Sequence, residues 1–299
     1  MRDNPPSADE GPFALPDHRV LALGGRDATT FAHAQFMNDV TALPAGHWQW
    51  NGWLAPKGRV IALFALLKLD VETLWLLLPD VDPSDLAAKL QRFVFRSKVA
   101  IALRKDCEVS GAFVAPAHAR GAGIHQRLMV DAESVELDFS GDGGARTLYI
   151  EARNEVRHST ESANLSADVL RWTASDLAHG LPRLPASQAD RWTPQQLSLD
   201  RLRAYSVKKG CYPGQEIVAR THFLGQAKRG LALFTADAAV AVGSEVRAGE
   251  YALGTVVSSA PGVEGHPALA VLPLERDDAP LSADGIALCE RPLLGGLAR

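Results

Sequence analysis

The sequence contains few of the residues that build disulfide frameworks and thiolate metal sites. It has three cysteines among 299 residues, Cys107, Cys211 and Cys289. They lie far apart and form no CxxC pair, so their spacing predicts neither a zinc site nor a disulfide framework. An odd number of scattered cysteines is typical of reduced thiols, and we predict a cytoplasmic protein without a resident metal.

Long apolar runs are also missing. The most hydrophobic stretch, residues 60–78, is interrupted by Lys68, Asp70 and Glu72, so it lacks the roughly 20 apolar residues of a membrane-spanning helix. We interpret it as two buried strands with a turn near residues 70–72. Residues 1–16 are rich in proline and acid and lack the apolar core of a signal peptide. They predict a disordered lead on a soluble protein that does not contact membranes.

No excess of positive charge is present. The chain has 31 basic and 35 acidic residues, for a net charge of −4, whereas nucleic-acid binders usually carry a basic patch. We therefore expect no direct binding to nucleic acid. The GxxxxGK[ST] phosphate loop, HExxH and GxSxG are absent from the sequence as well, so nothing in it supports nucleotide-dependent, zinc-hydrolase or serine-hydrolase catalysis.

Regular patterns predict a mixed α+β protein with more than one core. Apolar runs and turn residues predict strand, helix, three strands and helix in the first hundred residues. The segments are 20–23, 27–38, 48–54, 59–69, 73–78 and 83–94. A polar loop is predicted at 159–166, and many short strands punctuated by glycine after residue 225 predict a small β-barrel. The predicted domains are 17–106, 107–224 and 225–299.

The strongest local feature is a glycine-bracketed loop at residues 208–216, KKGCYPGQE. Gly210 and Gly214 permit turns that a side chain would obstruct. Lys208 and Lys209 would favour the thiolate of Cys211 if they lie near it. The alternative is a small, buried and unreactive cysteine in a turn. The residues alone leave both interpretations open.

This loop resembles the signature KGCYxGQE of the YgfZ family, which is related to the aminomethyltransferase (GcvT, or T-protein) of the glycine cleavage system. Weaker matches follow in the same order along most of the chain. They are QFMNDV at 35–40, PKGR at 56–59, RSKV at 96–99, GLP at 180–182 and LG with KR at 224–229. We therefore identify the chain as resembling this folate-binding family.

The resemblance implies a fold and a role. The implied fold is a three-part ring of two intertwined ferredoxin-like α+β modules and an antiparallel β-barrel around a folate-sized hole. The implied role is that of an accessory protein for assembly or repair of iron–sulfur clusters, including those of tRNA-modifying enzymes. Tetrahydrofolate or a related folate would be the cofactor, an iron–sulfur cluster would be held transiently, and client or scaffold proteins would be the partners. We expect a monomer.

The resemblance also implies site residues. The candidate folate-binding residues that it implies are Trp172 and His18. Asp39 is a further candidate by its position after the first helix, and Lys57 and Arg59 are candidates for binding a folate glutamate tail or a phosphate. The alternative for Lys57 and Arg59 is that they only keep the hairpin soluble. The residues carried over from the signature are Lys209, Gly210, Cys211, Tyr212, Gly214, Gln215, Glu216 and Arg220, with Cys211 as the reactive thiol. A core position for Trp172 is the structural alternative.

Two departures from the family pattern bear on activity. Ala62 and Leu63 stand where the aminomethyltransferases have paired aspartates, and neither side chain can exchange a proton. Ala178 stands where many relatives have a glutamate that pairs with the pterin, for which Asp176 is a nearby substitute. These changes predict a protein without turnover. The alternatives are a tetrahydrofolate-dependent one-carbon enzyme that uses Asp39, and a protein in which Cys211 ligates a cluster shared between two chains.

Overall fold

The first module is built on a five-stranded antiparallel sheet. The computed structural model describes residues 11–129, 132–153, 166–225, 227–262 and 265–299. The sheet order is β3-β4-β5-β2-β6. Its elements are β2 (Arg19–Gly24), α1 (Ala28–Gln35), β3 (His47–Leu54), β4 (Val60–Lys68), β5 (Thr73–Leu78), α2 (Pro83–Gln91) and β6 (Ala100–Leu103).

Both faces of this sheet are buried. Leu21, Phe64 and Leu76 pack in a cluster with residues of α1 and α2, whereas Leu63 and Leu77 face a second cluster on the other side. A strand covered on both faces needs apolar residues at every position. This explains why residues 60–78 read as one hydrophobic run, and it confirms the two predicted buried strands, with Asp70–Glu72 in the turn between them.

A second antiparallel sheet has the order β1-β7-β10-β9-β8. Its elements are β1 (Phe13–Ala14), β7 (Cys107–Ala112), β8 (His125–Met129), β9 (Ala132–Asp138), β10 (Thr147–Ala152) and α3 (Ala167–Ala178). The prediction of a disordered N-terminal segment over residues 1–16 is thus wrong at residues 13–14, which pair with Gly111 and Ser110 of β7. The ring of Phe13 also stacks on Phe113, with centroids 5.4 Å apart. Residues 1–10, and the predicted loop 159–166 except its last residue, lie outside the described residues.

The remaining strands close a barrel in the order β11-β14-β13-β12-β15-β16. Its elements are β11 (Arg229–Ala236), β12 (Glu245–Ala248), β13 (Tyr251–Ser259), β14 (His266–Pro273), β15 (Leu281–Ala283) and β16 (Ile286–Arg291), preceded by a short 3-10 turn (Ala186–Gln188) and α4 (Gln215–Phe223). Closure is achieved because β11 pairs with both β14 and β16, which removes exposed sheet edges. The predicted α+β class and C-terminal barrel are confirmed.

One core cluster joins all three parts. It contains Trp48 of the first sheet, Leu148 and Trp172 of the second sheet and its helix, and Leu269 of the barrel. Residues 292–299 leave β16 and return to the sheets. The indole of Trp50 donates a hydrogen bond of 2.7 Å to the carbonyl of Leu297. Within the described residues, no helix is long and apolar enough to cross a membrane.

Candidate functional site

The segment that precedes the signature is fastened to the turn after α1. The side-chain amide of Asn38 donates to the carbonyls of Trp50 and Arg203, at 2.9 and 2.7 Å. The backbone N–H of Ser206 donates to the carbonyl of Met37 at 2.9 Å. Buried amides need such partners, so these bonds fix the path of the chain into the signature. Asn38 lies within the matched segment 35–40, but the sequence reasoning did not assign it a role.

Lys209 anchors the signature loop to the end of α1. Its side chain is buried, and its ammonium donates hydrogen bonds to the carbonyls of His33 and Phe36, the latter at 2.6 Å. The last carbonyls of a helix lack intrahelical donors and carry partial negative charge, so an ammonium stabilises them. Burial lowers the pKa of Lys209 to about 8, although the nearby Asp39 carboxylate opposes that shift.

Tyr212 and Gln215 complete the fold of the loop. The ammonium of Lys209 lies 4.6 Å from the centroid of the Tyr212 ring, and the Tyr212 hydroxyl donates to the carbonyl of Ser206 at 3.3 Å. Burial and the neighbouring Tyr205 raise the pKa of Tyr212 to about 12. The side-chain amide of Gln215 donates to the carbonyl of Lys209 at 3.0 Å. Three signature side chains therefore serve to hold the loop in shape.

Two glycines bring the signature against the β3–β4 hairpin. Gly214 and Gly58 have φ of +79° and +71°, values that favour glycine. A Cβ at Gly214 would lie 2.7 Å from the carbonyl oxygen of Ala55 and 2.7 Å from the Cα of Gly58, too close for any other residue. Two motifs identified separately in the sequence thus meet in space. Gly210 is different, because a Cβ there would meet nothing within 4 Å.

Cys211 lies exposed between these anchored residues. Its immediate neighbour Gly210 is exposed too, as are Glu216 and Arg220 on α4. The alternative of a buried cysteine in a turn is therefore wrong for this position. Cys289 is also an exposed free thiol, on β16, whereas Cys107 is buried. A thiol on an anchored loop has few conformations to lose when it reacts or ligates, which favours reaction with a partner.

Asp39 lies close to this loop, and its carboxylate accepts several hydrogen bonds. Its Oδ1 accepts hydrogen bonds from the Thr41 hydroxyl at 2.7 Å and from the Ala42 N–H at 3.0 Å, and His33 Nδ1 is 3.2 Å away. Partial burial acts to raise the pKa of Asp39, but the bonds from Thr41 and Ala42 outweigh it and the pKa is lowered. Asp39 is thus held as a carboxylate.

Lys57 and Arg59 flank the glycine of the hairpin and are exposed. The guanidinium of Arg59 donates to the carbonyl of Arg191 at 2.6 Å, and the backbone N–H of Val60 donates to the carbonyl of Trp192 at 2.8 Å. Arg59 therefore ties the hairpin to the chain that leads toward the signature.

Trp172 and His18 are both buried, and Trp172 belongs to the shared core, which also contains Tyr212 of the signature. Trp172 is fully buried; the Arg146 guanidinium lies 4.7 Å from its ring centroid, and the Phe139 ring lies at 5.9 Å. His18 is buried, and burial together with the positive charge of Arg183 holds its pKa well below the usual value. Asp176 is bound to Arg146 at 2.7 Å, with both side chains 2% exposed.

A cleft that the sequence did not reveal lies where the three parts meet. It has a volume of about 240 Å³ and is lined by residues that include Asp80, Thr173, Arg183 and Ser258. The guanidinium of Arg183 is 2.5 Å from the Asp80 carboxylate. Arg183 and Asp80 are 103 positions apart in the chain, so no local sequence pattern could predict their contact. Small-molecule pockets usually measure about 300–1,000 Å³.

Neither place fits a whole folate. The Trp172 ring is covered by other side chains and has no face on which a pterin could stack, and the junction cleft is smaller than an ordinary ligand pocket. Within the part of the chain that the structure describes, no three His, Cys, Asp or Glu side chains are grouped to hold a metal ion.

The fold matches that of a solved aminomethyltransferase. The solved structure of glycine cleavage system aminomethyltransferase T from Bartonella henselae matches with a TM-score of 0.72, covering 95% of this chain and 85% of that one, at 14% identity. At this identity the match establishes the fold alone. It confirms the GcvT-like fold that the resemblance implied.

Sequence comparison finds relatives that are named YgfZ proteins. The chain is 29% identical over 229 residues to the tRNA-modifying protein YgfZ of Serratia proteamaculans, covering 73% of this chain and 69% of that protein. It is 28% identical over 239 residues to YgfZ of Escherichia coli O157:H7, covering 76% and 72%. An "Uncharacterized protein" of Haemophilus influenzae is 29% identical over 239 residues, covering 78% and 77%. No family model matches. The resemblance to YgfZ and GcvT proteins is confirmed.

Proposed function

We propose that this protein is a cytoplasmic accessory factor for assembly or repair of iron–sulfur clusters, including those of tRNA-modifying enzymes. Similarity to proteins named tRNA-modifying protein YgfZ supports a role related to tRNA modification. The observation that carries the proposal is the exposed thiol of Cys211, placed on a loop that Lys209 and Gly214 hold against two other elements.

The chemistry suits a thiol that acts on another protein. Cys211 can ligate iron as a thiolate, or its thiolate can attack a disulfide of a client, which forms a mixed disulfide and releases the client's other sulfur as a thiolate. One thiol cannot hold a cluster alone, so the other ligands would come from the client, from a scaffold protein or from a second chain. Such a factor would act by contact with its partners.

Catalytic one-carbon transfer has less support than the accessory role. Ala62 and Leu63 are buried apolar residues, so neither supplies a carboxylate where the aminomethyltransferases have one. Asp39, the remaining candidate acid, already accepts bonds from Thr41 and Ala42. Folate stays a proposal that rests on the resemblance, because the two places described above do not fit it. The proposed action of Cys211 does not involve folate.

Complementation of a bacterium that lacks its own relative tests the proposal. We expect the wild-type gene to restore tRNA nucleosides whose synthesis needs iron–sulfur enzymes, measured by mass spectrometry of digested tRNA. Cys211→Ser should lose this rescue without a change in melting temperature. Cys289→Ser is the matched control, since it removes the other exposed thiol, and it should rescue fully. Full rescue by Cys211→Ser would refute the proposed role of this thiol.

Anaerobic reconstitution with iron and sulfide separates two forms of the proposal. If two copies of this chain share a cluster through Cys211, wild-type protein should develop charge-transfer absorption that Cys211→Ser lacks. If Cys211 acts by thiol–disulfide exchange, both proteins should stay colourless. In a Cys289→Ser background, which removes the other exposed thiol, a client peptide that carries a disulfide should then form a mixed disulfide only when Cys211 is present.

A further inference from the structure

An open groove runs between α1 and the turn after α2, close to the signature loop. Ala34 and Gln35 form the α1 side, and Phe93, Phe95 and Arg96 form the other side. Its volume is about 680 Å³. We call it the α1 groove. None of the functions considered above uses these side chains, so their exposure needs its own explanation.

The apolar side of the α1 groove, formed by Phe93 and Phe95, is exposed to water, which is unfavourable in free energy. The Phe95 side chain is 88% exposed and the Phe93 side chain 39%. Phe95 also has φ of +23°, a conformation that is unfavourable for a bulky side chain. Such strain persists where the surrounding structure imposes it and is frequent at binding sites. A partner that covered the Phe95 ring would bury apolar surface that the protein itself leaves in water.

The α1 groove also offers a hydrogen-bond acceptor. The side-chain oxygen Oε1 of Gln35 is buried and has no partner within the described residues. A buried acceptor without a donor destabilises the protein, and a donor supplied from outside would remove that penalty. Because this oxygen is buried, the Gln35 side chain must rotate before the backbone N–H of an extended peptide can reach it.

The rim of the α1 groove is basic although the chain as a whole is acidic. Arg96 and Asp27 line the groove. Arg26, which lies 3.6 Å from the Asp27 carboxylate, Arg92 and Lys98 are exposed beside it on the same two segments. Asp27 is the one acidic residue in segments 26–36 and 92–98, and its carboxylate accepts the backbone N–H of Lys98 at 2.7 Å. With a net charge of −4 for the whole chain, this concentration of positive charge favours an acidic partner at this place.

We propose that the α1 groove binds an extended segment of a partner protein in which an aromatic or large aliphatic residue is flanked by Asp or Glu. The groove and the signature loop are connected through the end of α1, because Gln35 precedes Phe36, whose carbonyl binds the ammonium of Lys209, and Cys211 is two residues beyond Lys209. That this partner is the protein served by Cys211 rests on the proposed function; the binding itself does not.

Binding of a defined peptide tests this inference. The probe is a fluorescein-labelled peptide with one tryptophan flanked on both sides by glutamates, and binding to the purified full chain is followed by fluorescence anisotropy. We expect saturable binding that weakens as salt is added. Phe95→Ser and Arg96→Glu should each weaken it by about tenfold or more, as expected for a central anchor and a paired charge. Circular dichroism checks that both variants fold.

Matched controls make the result specific. Phe223→Ser removes another exposed ring, 66% exposed on α4, and should leave the affinity unchanged. A peptide with lysines in place of the glutamates should not bind. Equal binding of both peptides, or unchanged affinity in Phe95→Ser, would overturn the inference. If the peptide fails to bind while sedimentation shows a wild-type dimer that Phe95→Ser abolishes, the occupant is a second copy of this chain and the inference is wrong.

The thiol and the groove are tested separately. Cys211→Ser should bind the peptide as the wild type does, because the thiol is outside the groove. Loss of tRNA rescue in Cys211→Ser with intact peptide binding supports the thiol function, whatever the groove does. Loss of binding in Phe95→Ser supports the groove, even if Cys211 proves dispensable.

Discussion

Lys209 shows how a single buried charge can position a loop. Its ammonium is buried. Hydrogen bonds to two carbonyls at the end of α1 and contact with the ring of Tyr212 compensate for the lost hydration. The free-energy cost of burying the charge remains visible in its pKa, which falls from 10.5 to about 8. The neutral amine keeps two N–H donors, so both carbonyl contacts survive deprotonation.

This shift predicts an unusual pH dependence of stability. Between pH 8 and 10.5 the folded protein has released the Lys209 proton, whereas the unfolded chain still binds it. The free energy of unfolding should therefore rise with pH in this interval, by up to about 1.4 kcal/mol per pH unit and about 3 kcal/mol in total.

Comparison with Lys209→Met isolates this contribution from other titrating groups. Denaturant unfolding at several pH values should show the wild type gaining stability relative to Lys209→Met as the pH rises from 8. Lys208→Met, a change at the exposed neighbour, should follow the wild type. A constant difference between wild type and Lys209→Met across this range would contradict the assignment.

The sequence located Lys209 but did not reveal what it does. Adjacency to Cys211 suggested support for a thiolate, since chain proximity is all that a sequence displays. In the structure the side chain turns to His33 and Phe36, more than 170 positions away. The same contact explains why α1 ends at Gln35 instead of the predicted Asn38: Phe36 is extended, with ψ of 157°, and its carbonyl binds Lys209.

At the scale of elements, the packing of the β3–β4 hairpin against the start of α4 sets the position of the signature. Gly214 begins α4 with φ of +79° and approaches Gly58 too closely for a side chain. Because Gly214 has no side chain that could accept a capping hydrogen bond, no side-chain pattern predicted the start of α4. Strands β3 to β5 were predicted well, since their burial on two faces imposes apolar residues throughout.

Gly214→Ala should destabilise the protein more than the same change at a comparable open glycine. Gly46 has φ of +71°, and a Cβ there would meet nothing within 4 Å. Both substitutions share the cost of a left-handed alanine, about 1–2 kcal/mol, but only Gly214→Ala adds a clash, about 1–3 kcal/mol more.

Thermal unfolding and hydrogen exchange check this prediction. Gly214→Ala should also speed exchange of amide protons across residues 208–218, whereas Gly46→Ala should leave them protected. Equal destabilisation by the two substitutions would show that the hairpin does not constrain the signature.

At the scale of the whole molecule, residues 292–299 fasten the barrel to both sheets. The backbone N–H of Leu294 donates to the carbonyl of Ala178 at 2.9 Å, and Leu297 is 1% exposed within the shared core. The guanidinium of Arg299 donates to the carbonyls of Asp138 and Ser140, at 2.7 and 3.1 Å. Sequence patterns could not predict this path, because the segment has no regular structure and its contacts are distant.

Leu297→Ala should lower the free energy of unfolding by about 2–5 kcal/mol, the range for a buried leucine whose removal leaves a cavity. Leu274→Ala is the control, since Leu274 is 61% exposed, and should have little effect. Denaturant unfolding followed by tryptophan fluorescence measures both. A loss in Leu297→Ala no larger than in the control would mean that this segment does not contribute to the core.

The hydrogen bond from Trp50 to Leu297 spans 247 positions of the chain, and this has a consequence for biosynthesis. The first sheet leaves the ribosome early, yet one wall of its core is translated only after the whole barrel. Until then Trp48 and Trp50 face an unfinished interior, and the nascent chain exposes apolar surface for most of its synthesis. Folding in the cell should therefore depend on chaperones that shield this surface.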